Sequence, residues 1–481
     1  MSLSTIRRAG PLRVVRRGVL LAATCSLLAG PALAAAPGAD FTRDSTLTDL
    51  VREALANRPE VAQAQAMAKA EAARVPQAGA LPDPVVSLGV QNDGFDRLRI
   101  GEMEQSWWSV GAAQTIPWYG KRTLRARTQS LEAGRADADL ERIRLTARAD
   151  VERAYLDLLL VRDQLAILVK LEVHWMQAEG LSRSRYETGT GAQSDVLRTQ
   201  LGRSRLQQQR WALVAEERRR VAVLNRVIGR EIGHPIPSRL SLGDLSDPAL
   251  PDSVAAEAEA EARNPELRRA RLGVEQSRTL VSLARKDYFP DFTVSGAVMP
   301  RSGEFESMWQ AGLSLSVPVW AAGKQSRAVG EYRLRGQAAE RGAETVRRLL
   351  RLRLEERRAQ LVALLATNGL YRSGLLVQSD ATVSSTMAQY RVGTVPFASV
   401  LEALNGYLAD LAGFYESVAA AQRVDIAQRE FRLESVAGPA PGGLGGSFMP
   451  GSGGTGTVPA PAAGVSGPTP AGPTSTAMPR M

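Results

Sequence analysis

The feature that most constrains the fold of this chain is a stretch at residues 185–197 that recurs at residues 389–401. In each copy a glycine can end one helix in the left-handed conformation, and the residues just beyond it can start another helix. The paired positions share one offset: Tyr186 with Tyr390, Gly189 with Gly393, Thr190 with Thr394, Val196 with Val400 and Leu197 with Leu401. Each copy therefore predicts a tight turn between two long antiparallel helices.

The duplication extends beyond these two turns. Pro59 and Pro265 interrupt matching helical patterns, and each is expected to kink or restart its helix. Long helices are predicted at residues 119–187 and 325–390, with return helices at residues 194–228 and from 396 to about 436. Such lengths exceed what a compact globule needs and indicate a coiled coil or a barrel of helices.

Each half also carries two short segments in which apolar residues alternate with small polar ones, a period that predicts β-strands. Tryptophan near the end of such a strand is typical of strands that span an outer membrane, where the ring lies at the headgroup level. The edge of a soluble sandwich is the alternative. The side chains predicted to face lipid are Trp108, Val110, Trp309, Leu313 and Leu315.

Four strands cannot close a barrel, and open sheet edges are not tolerated in hydrocarbon. The chain is therefore expected to borrow strands from copies of itself. Two copies would give about eight strands, an interior that side chains fill, whereas three copies would give about twelve strands and a lumen.

The N-terminus predicts export. Arginines at its start precede an apolar run that is too short to span a bilayer, and Pro31 to Ala35 fits an Ala-x-Ala cleavage site. The only cysteine, Cys25, lies within this segment, so the mature chain is expected to have no disulfide and no thiolate metal site. The alternative to removal of Cys25 with the signal peptide is that Cys25 is retained and lipidated.

These patterns divide the chain into five parts. They are a signal peptide at residues 1–34, a first repeat at 35–228, a connector rich in Pro, Gly and Ser at 229–251, a second repeat at 252–436, and a tail rich in Gly, Pro and Ala at 437–481. The tail has almost no large apolar residues and is predicted to be disordered.

Charge and histidine content exclude several functions. About half of the formal charge of +10 comes from arginines in the signal peptide, and the rest alternates with Glu and Asp along helices. A nucleic-acid surface is usually clustered and interleaved with aromatic residues, so none is predicted. His174 and His234 do not lie at metal-ligand or triad spacing. The sequence predicts no enzyme, no cofactor and no metal site.

On these residues the chain resembles the TolC-type outer-membrane efflux proteins. The resemblance covers residues 46–433 and rests on the tip motif of both halves and on the strand-to-helix turns at residues 117–121 and 318–324. It implies a mainly α fold with a β-barrel part. A homotrimer would form a twelve-stranded barrel in the outer membrane of a Gram-negative cell, with four strands per chain, and a long α-helical barrel across the periplasm.

The resemblance also implies a passive efflux duct surrounded by outer-membrane lipid. Its tips would dock a periplasmic adaptor, which connects it to an inner-membrane pump of the RND type. The residues implied for adaptor docking and the periplasmic gate are Tyr186, Gly189, Thr190, Asp195, Val196, Leu197, Tyr390, Gly393, Thr394, Ser399, Val400 and Leu401. Asp195 has Ser399 as its counterpart, so only the first copy supplies a carboxylate there. A helix N-terminal acid favoured by the macrodipole and a group facing the lumen stay open as roles for Asp195.

The substrate is not determined by these residues. The first strand-to-helix turn is similar to that of the heavy-metal branch of the family, which would make metal cations the substrate. Drugs and other organic solutes, or substrates of type I secretion, are alternatives for the same duct. A periplasmic coiled-coil adaptor or scaffold without a barrel is the alternative from a different class.

Overall fold

The computed structural model describes residues 39–95, 97–238, 240–301 and 304–434. The predicted signal peptide with Cys25 and the predicted tail therefore lie outside the described residues. The elements in chain order are α1 Ser45–Asn57, α2 Pro59–Gly79, β1 Val85–Gln91, β2 Trp107–Ile116, α3 Lys121–Glu187, α4 Gln193–Ile228, α5 Ser253–Arg263, α6 Pro265–Lys286, β3 Asp291–Met299, β4 Met308–Ser316, α7 Gln325–Leu370, α8 Leu376–Val392 and α9 Phe397–Arg429. The predicted fold class, mainly helical with four strands per chain, is confirmed.

The prolines restart the helices as predicted. Pro59 and Pro265 occupy the first turns of α2 and α6, where a missing N–H costs no hydrogen bond. The side chain of Asn264 caps α6 by accepting a hydrogen bond from the backbone N–H of Leu267 (2.7 Å). In both halves a proline thus begins the longer helix that follows a short one, although Arg58, at the cap position of the first half, makes no side-chain cap hydrogen bond.

The four strands form one antiparallel sheet in the order β1-β2-β3-β4. Leu88 lies opposite Val110, Val110 opposite Val298, and Val294 opposite Leu313, so apolar side chains from all four strands share one face. Because side chains alternate along a strand, the small and polar residues share the other face. The five side chains predicted to face lipid all lie on the apolar face, where they are largely exposed in the single chain.

The helices form open layers of four. Towards the two tips, α3 packs against α4 and α9, and α9 packs against α8, so the layer runs α4-α3-α9-α8. Towards the sheet, α3 packs against α2 and α6, and α6 packs against α7, so the layer runs α2-α3-α6-α7. Each layer therefore ends in two edge helices. Among the described residues, none of the helices has the length and the hydropathy needed to cross a membrane.

The connector between the halves is held against the middle of α3. Asp163, buried in α3, accepts hydrogen bonds from the Ser241 hydroxyl (2.8 Å) and from the backbone N–H of Leu242 (2.7 Å). Burial raises the pKa of the Asp163 carboxyl, and these hydrogen bonds act in the opposite direction. Leu242 is itself part of the central core, which also contains Tyr155 and Phe41.

Two helix predictions need correction. The second long helix is not continuous, because a π-helical segment, Tyr371–Leu375, separates α7 from α8. The Tyr371 ring packs near Phe414, and its hydroxyl occupies the space that a side chain at Gly413 would need. The last helix ends at Arg429 and not near residue 436, because Phe431 turns the chain with a φ of 55°. Arg353 of α7 then holds the returning segment through the backbone oxygen of Leu433 (2.8 Å).

Candidate functional site

The two predicted tip turns adopt the same geometry. Gly189 and Gly393 have φ angles of 74° and 81°, in the left-handed region that favours glycine. The backbone N–H of Thr190 reaches the carbonyl of Arg185 (2.9 Å), and that of Thr394 reaches the carbonyl of Gln389 (3.1 Å). Both threonine hydroxyls donate to the same carbonyls. The sequence repeat thus encodes one helix-ending motif used twice.

The two tips are joined to each other by Arg185. This side chain reaches from the end of α3 to the second tip, where its guanidinium lies 4.6 Å from the centre of the Tyr390 ring. It donates one hydrogen bond to the backbone oxygen of Tyr390 and another to the backbone oxygen of Thr190 (3.0 Å). A single cation therefore binds both turns, and a guanidinium above an aromatic face is attracted to it.

Tyr390 continues this connection into the first half. Its hydroxyl donates to Asp195 Oδ2 (3.1 Å), and its ring packs edge-on against Phe397 with centroids 5.4 Å apart. Burial and the nearby Asp195 carboxylate raise the pKa of Tyr390 to about 12, so the hydroxyl remains a donor at neutral pH. We refer to Arg185, Tyr390 and Asp195 together as the tip lock.

Asp195 lies in the first turn of α4, where a negative charge favours the helix. Its side chain is only 16% exposed, and Arg198 lies 3.9 Å away. The structure therefore gives the carboxylate two partners within its own chain, Tyr390 and Arg198. Ser399, its counterpart, instead lines a groove of about 450 Å³ between α8 and α9 together with Thr386 and Glu402.

The two copies of the motif differ in burial. Tyr186 is 48% exposed whereas Tyr390 is 2% exposed, and Val196 is half-buried whereas Val400 is buried. Leu197 is exposed whereas Leu401 is half-buried against the core cluster that contains Trp175 and Leu404, which we call the lower core. The second tip is thus packed beneath Arg185, and the first tip presents its apolar side chains outward. Sequence reasoning missed Arg185 as a site residue; the only signal was a cation immediately before the repeated tyrosine, where the second copy has Gln389.

One of the two histidines makes an aromatic packing contact. His174 packs edge-on against Tyr407 with ring centroids 5.9 Å apart, as expected of a packing residue. Within the part of the chain that the structure describes, no group of three or more His, Cys, Asp or Glu side chains could hold a metal ion.

For the efflux duct and the trimer that the resemblance implies, valine at either tip glycine is expected to abolish efflux while leaving trimers intact. A β-branched residue in the left-handed conformation costs about 1–2 kcal/mol. At Gly189 the added Cβ meets no atom within 4 Å, but at Gly393 it lies 3.2 Å from Arg185 Nη2, so Gly393→Val is expected to be the more damaging change. The measurement is growth under efflux-dependent selection, with trimers followed on unheated gels.

The control for these variants is Gly180→Val, because Gly180 lies within α3 and an added Cβ there meets no atom within 4 Å. Unchanged resistance in both tip variants would count against a functional role for the turns. Loss of the trimer in either of them would show that the turns are needed for assembly.

Comparison with known proteins agrees with this architecture. The family model of outer membrane efflux proteins matches residues 50–230 and 258–428, one segment in each half. No curated protein sequence matches the chain. Similar solved structures include the outer-membrane channel OprN, with 20% identity, a TM-score of 0.63, and coverage of 81% of this chain and 90% of that one.

Two further structures show the same fold. CusC is 16% identical with a TM-score of 0.67 over 83% of this chain and 96% of its own. The Campylobacter jejuni outer membrane channel CmeC is 15% identical with a TM-score of 0.64 over 88% of this chain and 94% of its own. With a family match in both halves, the chain belongs to the outer membrane efflux protein family: it is an outer-membrane channel that extends into the periplasm, and not an enzyme.

Proposed function

We propose that this protein is the exit duct of a tripartite efflux system and that it works as a homotrimer. The proposal rests on one observation: neither the sheet nor the two helical layers close on themselves within one chain. The sheet ends in β1 and β4, and the helical layers end in α4 and α8 at the tips and in α2 and α7 near the sheet. Unpaired strand edges are costly in lipid, so copies of the chain must supply the missing neighbours.

The number of strands favours three copies. Each chain supplies four strands, so two copies would form a barrel of about eight that side chains fill. Three copies form a barrel of about twelve strands with a lumen. The small and polar face of the sheet then lines the lumen, and the face with Trp108 and Trp309 contacts lipid.

The edge helices carry apolar side chains that fit packing between copies. Leu197, Leu201 and Trp211 lie at heptad spacing along α4 and are all more than half exposed. Val377 and Val392 are similarly exposed on α8. In a closed ring, α4 of one copy lies beside α8 of the next, and these side chains leave water.

The tips are the part of the duct that faces the inner membrane. Tyr186 and Leu197 are exposed there, and the groove between α8 and α9 is lined by hydroxyl groups and Glu402. We assign this surface to docking of a periplasmic adaptor that connects the duct to an inner-membrane pump of the RND type. The tip lock holds the two turns of each chain together and keeps the passage closed at rest.

For the substrate we propose heavy-metal cations, because the strand-to-helix turn at residues 117–121 is similar to that of the heavy-metal branch. Export of drugs or other organic solutes is the alternative. A strain without the protein should lose tolerance to metal salts. Loss of tolerance to organic compounds alone would select the alternative.

The proposed assembly is tested by fractionation. The protein is expected in the outer-membrane fraction, migrating on gels as a trimer when unheated and as a monomer after boiling. The physical reason is that a closed barrel has no free edges and resists detergent. A soluble monomer in the periplasmic extract would contradict the duct and favour a periplasmic scaffold or adaptor.

A further inference from the structure

A buried lysine joins the two halves of the chain where the sheet meets the helices. Lys121, at the start of α3, is 4% exposed, and its Nζ lies 2.9 Å from Asp291 Oδ1 and 3.1 Å from the backbone oxygen of Phe289. The backbone N–H of Trp118 donates to the same carboxylate oxygen (2.8 Å). The strand-to-helix turn of the first half is therefore bound to the helix-to-strand turn of the second half.

An aromatic contact accompanies this ion pair. The Trp118 ring stacks on Phe289, with centroids 5.1 Å apart and planes 13° apart, and also on Phe292 at 5.6 Å. The joint thus has an ionic part and an apolar part. We call Lys121, Asp291, Trp118 and Phe289 the junction.

The sequence repeat supplies a second set of these residues. Lys324 follows Gly323 as Lys121 follows Gly120, and Asp83 follows Pro82 as Asp291 follows Pro290. The second turn is two residues longer than the first, and its aromatic residue, Trp320, lies four residues before Lys324 where Trp118 lies three before Lys121. Leu81 takes the place of Phe289. The chain therefore encodes a second set with the same pair of charges and with one aromatic and one aliphatic side chain.

The second set is not assembled within one chain. The side chains of Lys324 and Asp83 are exposed and make no ion pair or hydrogen bond with any residue that the structure describes. Trp320 is 77% exposed and Leu81 is 42% exposed. Asp83 precedes β1 and Lys324 follows β4, so the two parts of the set lie at opposite edges of the sheet.

We propose that the second junction forms between copies: Lys324 of one copy pairs with Asp83 of the next, and Trp320 packs on Leu81 across the same boundary. The inference rests on the proposed trimer and adds to it a specific contact. Opposite charges and exposed apolar groups, each found on its own edge of the chain, are complementary when the edges meet. Every strand-to-helix turn around the ring then has a junction, alternately within a chain and between chains.

An alignment of Pro117 with Pro318 and of Asp291 with Asp83 predicts the strand register between copies. Within the chain, Ala113 of β2 lies opposite Ser295 of β3, and their counterparts are Ser314 of β4 and Ser87 of β1. The adjacent pair, Ala112 and Gly296, corresponds in the same way to Leu313 and Leu88. These leucines both belong to the apolar face, and the serines both belong to the polar face. This register therefore matches the two faces of neighbouring copies.

Charge reversal tests the ion pair. Lys324→Glu and Asp83→Lys are each expected to lower the temperature at which trimers dissociate on gels by several degrees, and the double variant is expected to restore it, because the reversed pair can form again. Lys121→Glu is the matched control, since its partner lies within the chain and Asp83→Lys should not rescue it. A double variant no more stable than the single variants, or single variants as stable as the parent, would overturn the pairing.

Disulfide formation tests the register, in a Cys25→Ser background. Ser87→Cys with Ser314→Cys is expected to link copies into covalent dimers and trimers, because directly opposed residues are within disulfide reach. A bond within one chain is excluded, because these residues lie on the two outer strands of the sheet, three strand spacings or about 14 Å apart. The control is Ser87→Cys with Gln310→Cys. Gln310 lies on the same face of β4 as Ser314 but four residues away, so this pair should stay unlinked.

The outcomes separate the two proposals. If the control pair forms disulfides as efficiently as the first pair, the proposed register is wrong, but the proposed trimer is still supported. If the purified protein is a monomer by light scattering in detergent and neither pair links, the proposed trimer fails and the junction between copies fails with it. Linked trimers together with charge-reversal rescue support both.

Discussion

Replacement of Arg185 by alanine is expected to open the channel at its tips. The change removes the cation above the Tyr390 ring and the hydrogen bonds to both turns. A cation–π contact contributes about 1 kcal/mol and a hydrogen bond to a charged group about 1.5–3 kcal/mol. Three copies lose these contacts together. Since about 1.4 kcal/mol is tenfold in an equilibrium, the open probability is expected to rise by about tenfold or more.

The measurement is the conductance of purified trimers in planar bilayers, before and after the substitution. Arg183→Ala is the control, because Arg183 is an exposed residue of the same helix whose pair with Glu179 (3.4 Å) contributes little. Tyr390→Phe keeps the ring below Arg185 but leaves Asp195 without its hydroxyl partner, so a smaller increase is expected. An Arg185→Ala channel that conducts no more than Arg183→Ala would remove the tip lock from the gating mechanism.

Replacement of Gly202 by alanine is expected to destabilise the hairpin formed by α3 and α4. A Cβ at Gly202 would overlap the ring of Trp175, which is buried in the lower core and cannot move aside. Overpacking of this kind costs about 1–3 kcal/mol and occasionally more. The free energy of unfolding and the dissociation temperature of the trimer, measured in detergent, should both fall.

The matched control is Gly180→Ala. Gly180 also lies in this hairpin, but an added Cβ meets no atom within 4 Å, so the substitution should stabilise the helix by about 1 kcal/mol through helix propensity alone. Equal stability of the two variants would show that α3 and α4 do not approach as closely at Gly202 as the structure indicates.

Local chemistry made much of this fold predictable. Glycine is needed at residues 189 and 393 because the backbone φ is positive there, and proline at residues 59 and 265 because a helix begins there. Alternation along the strands identified which side chains share a face, as the pairing of Val294 with Leu313 confirms. These features depend on neighbours in sequence, which periodicity can detect.

The tip lock and the helix interruption were not predictable in this way. Arg185 and Tyr390 meet across about two hundred residues, and no local pattern records such a contact. The repeat also suggested equivalent tips, whereas Tyr186 is exposed and Tyr390 is buried. Which copy becomes buried depends on how α8 and α9 pack against α3, and that is a tertiary property.

The π-helical segment has a consequence for the phase of the second long helix. Leu361 and Asn368 are buried and one heptad apart, and so are Val383 and Tyr390 in α8. The interval from Asn368 to Val383 is one residue longer than two heptads, so an unbroken repeat would have turned the exposed Thr382 inward. A π-turn accommodates one extra residue, which rotates the downstream helix by about 100° relative to an uninterrupted count. The segment between α7 and α8 thus keeps the buried side chains of the two helices on one side, and both helices pack against α9.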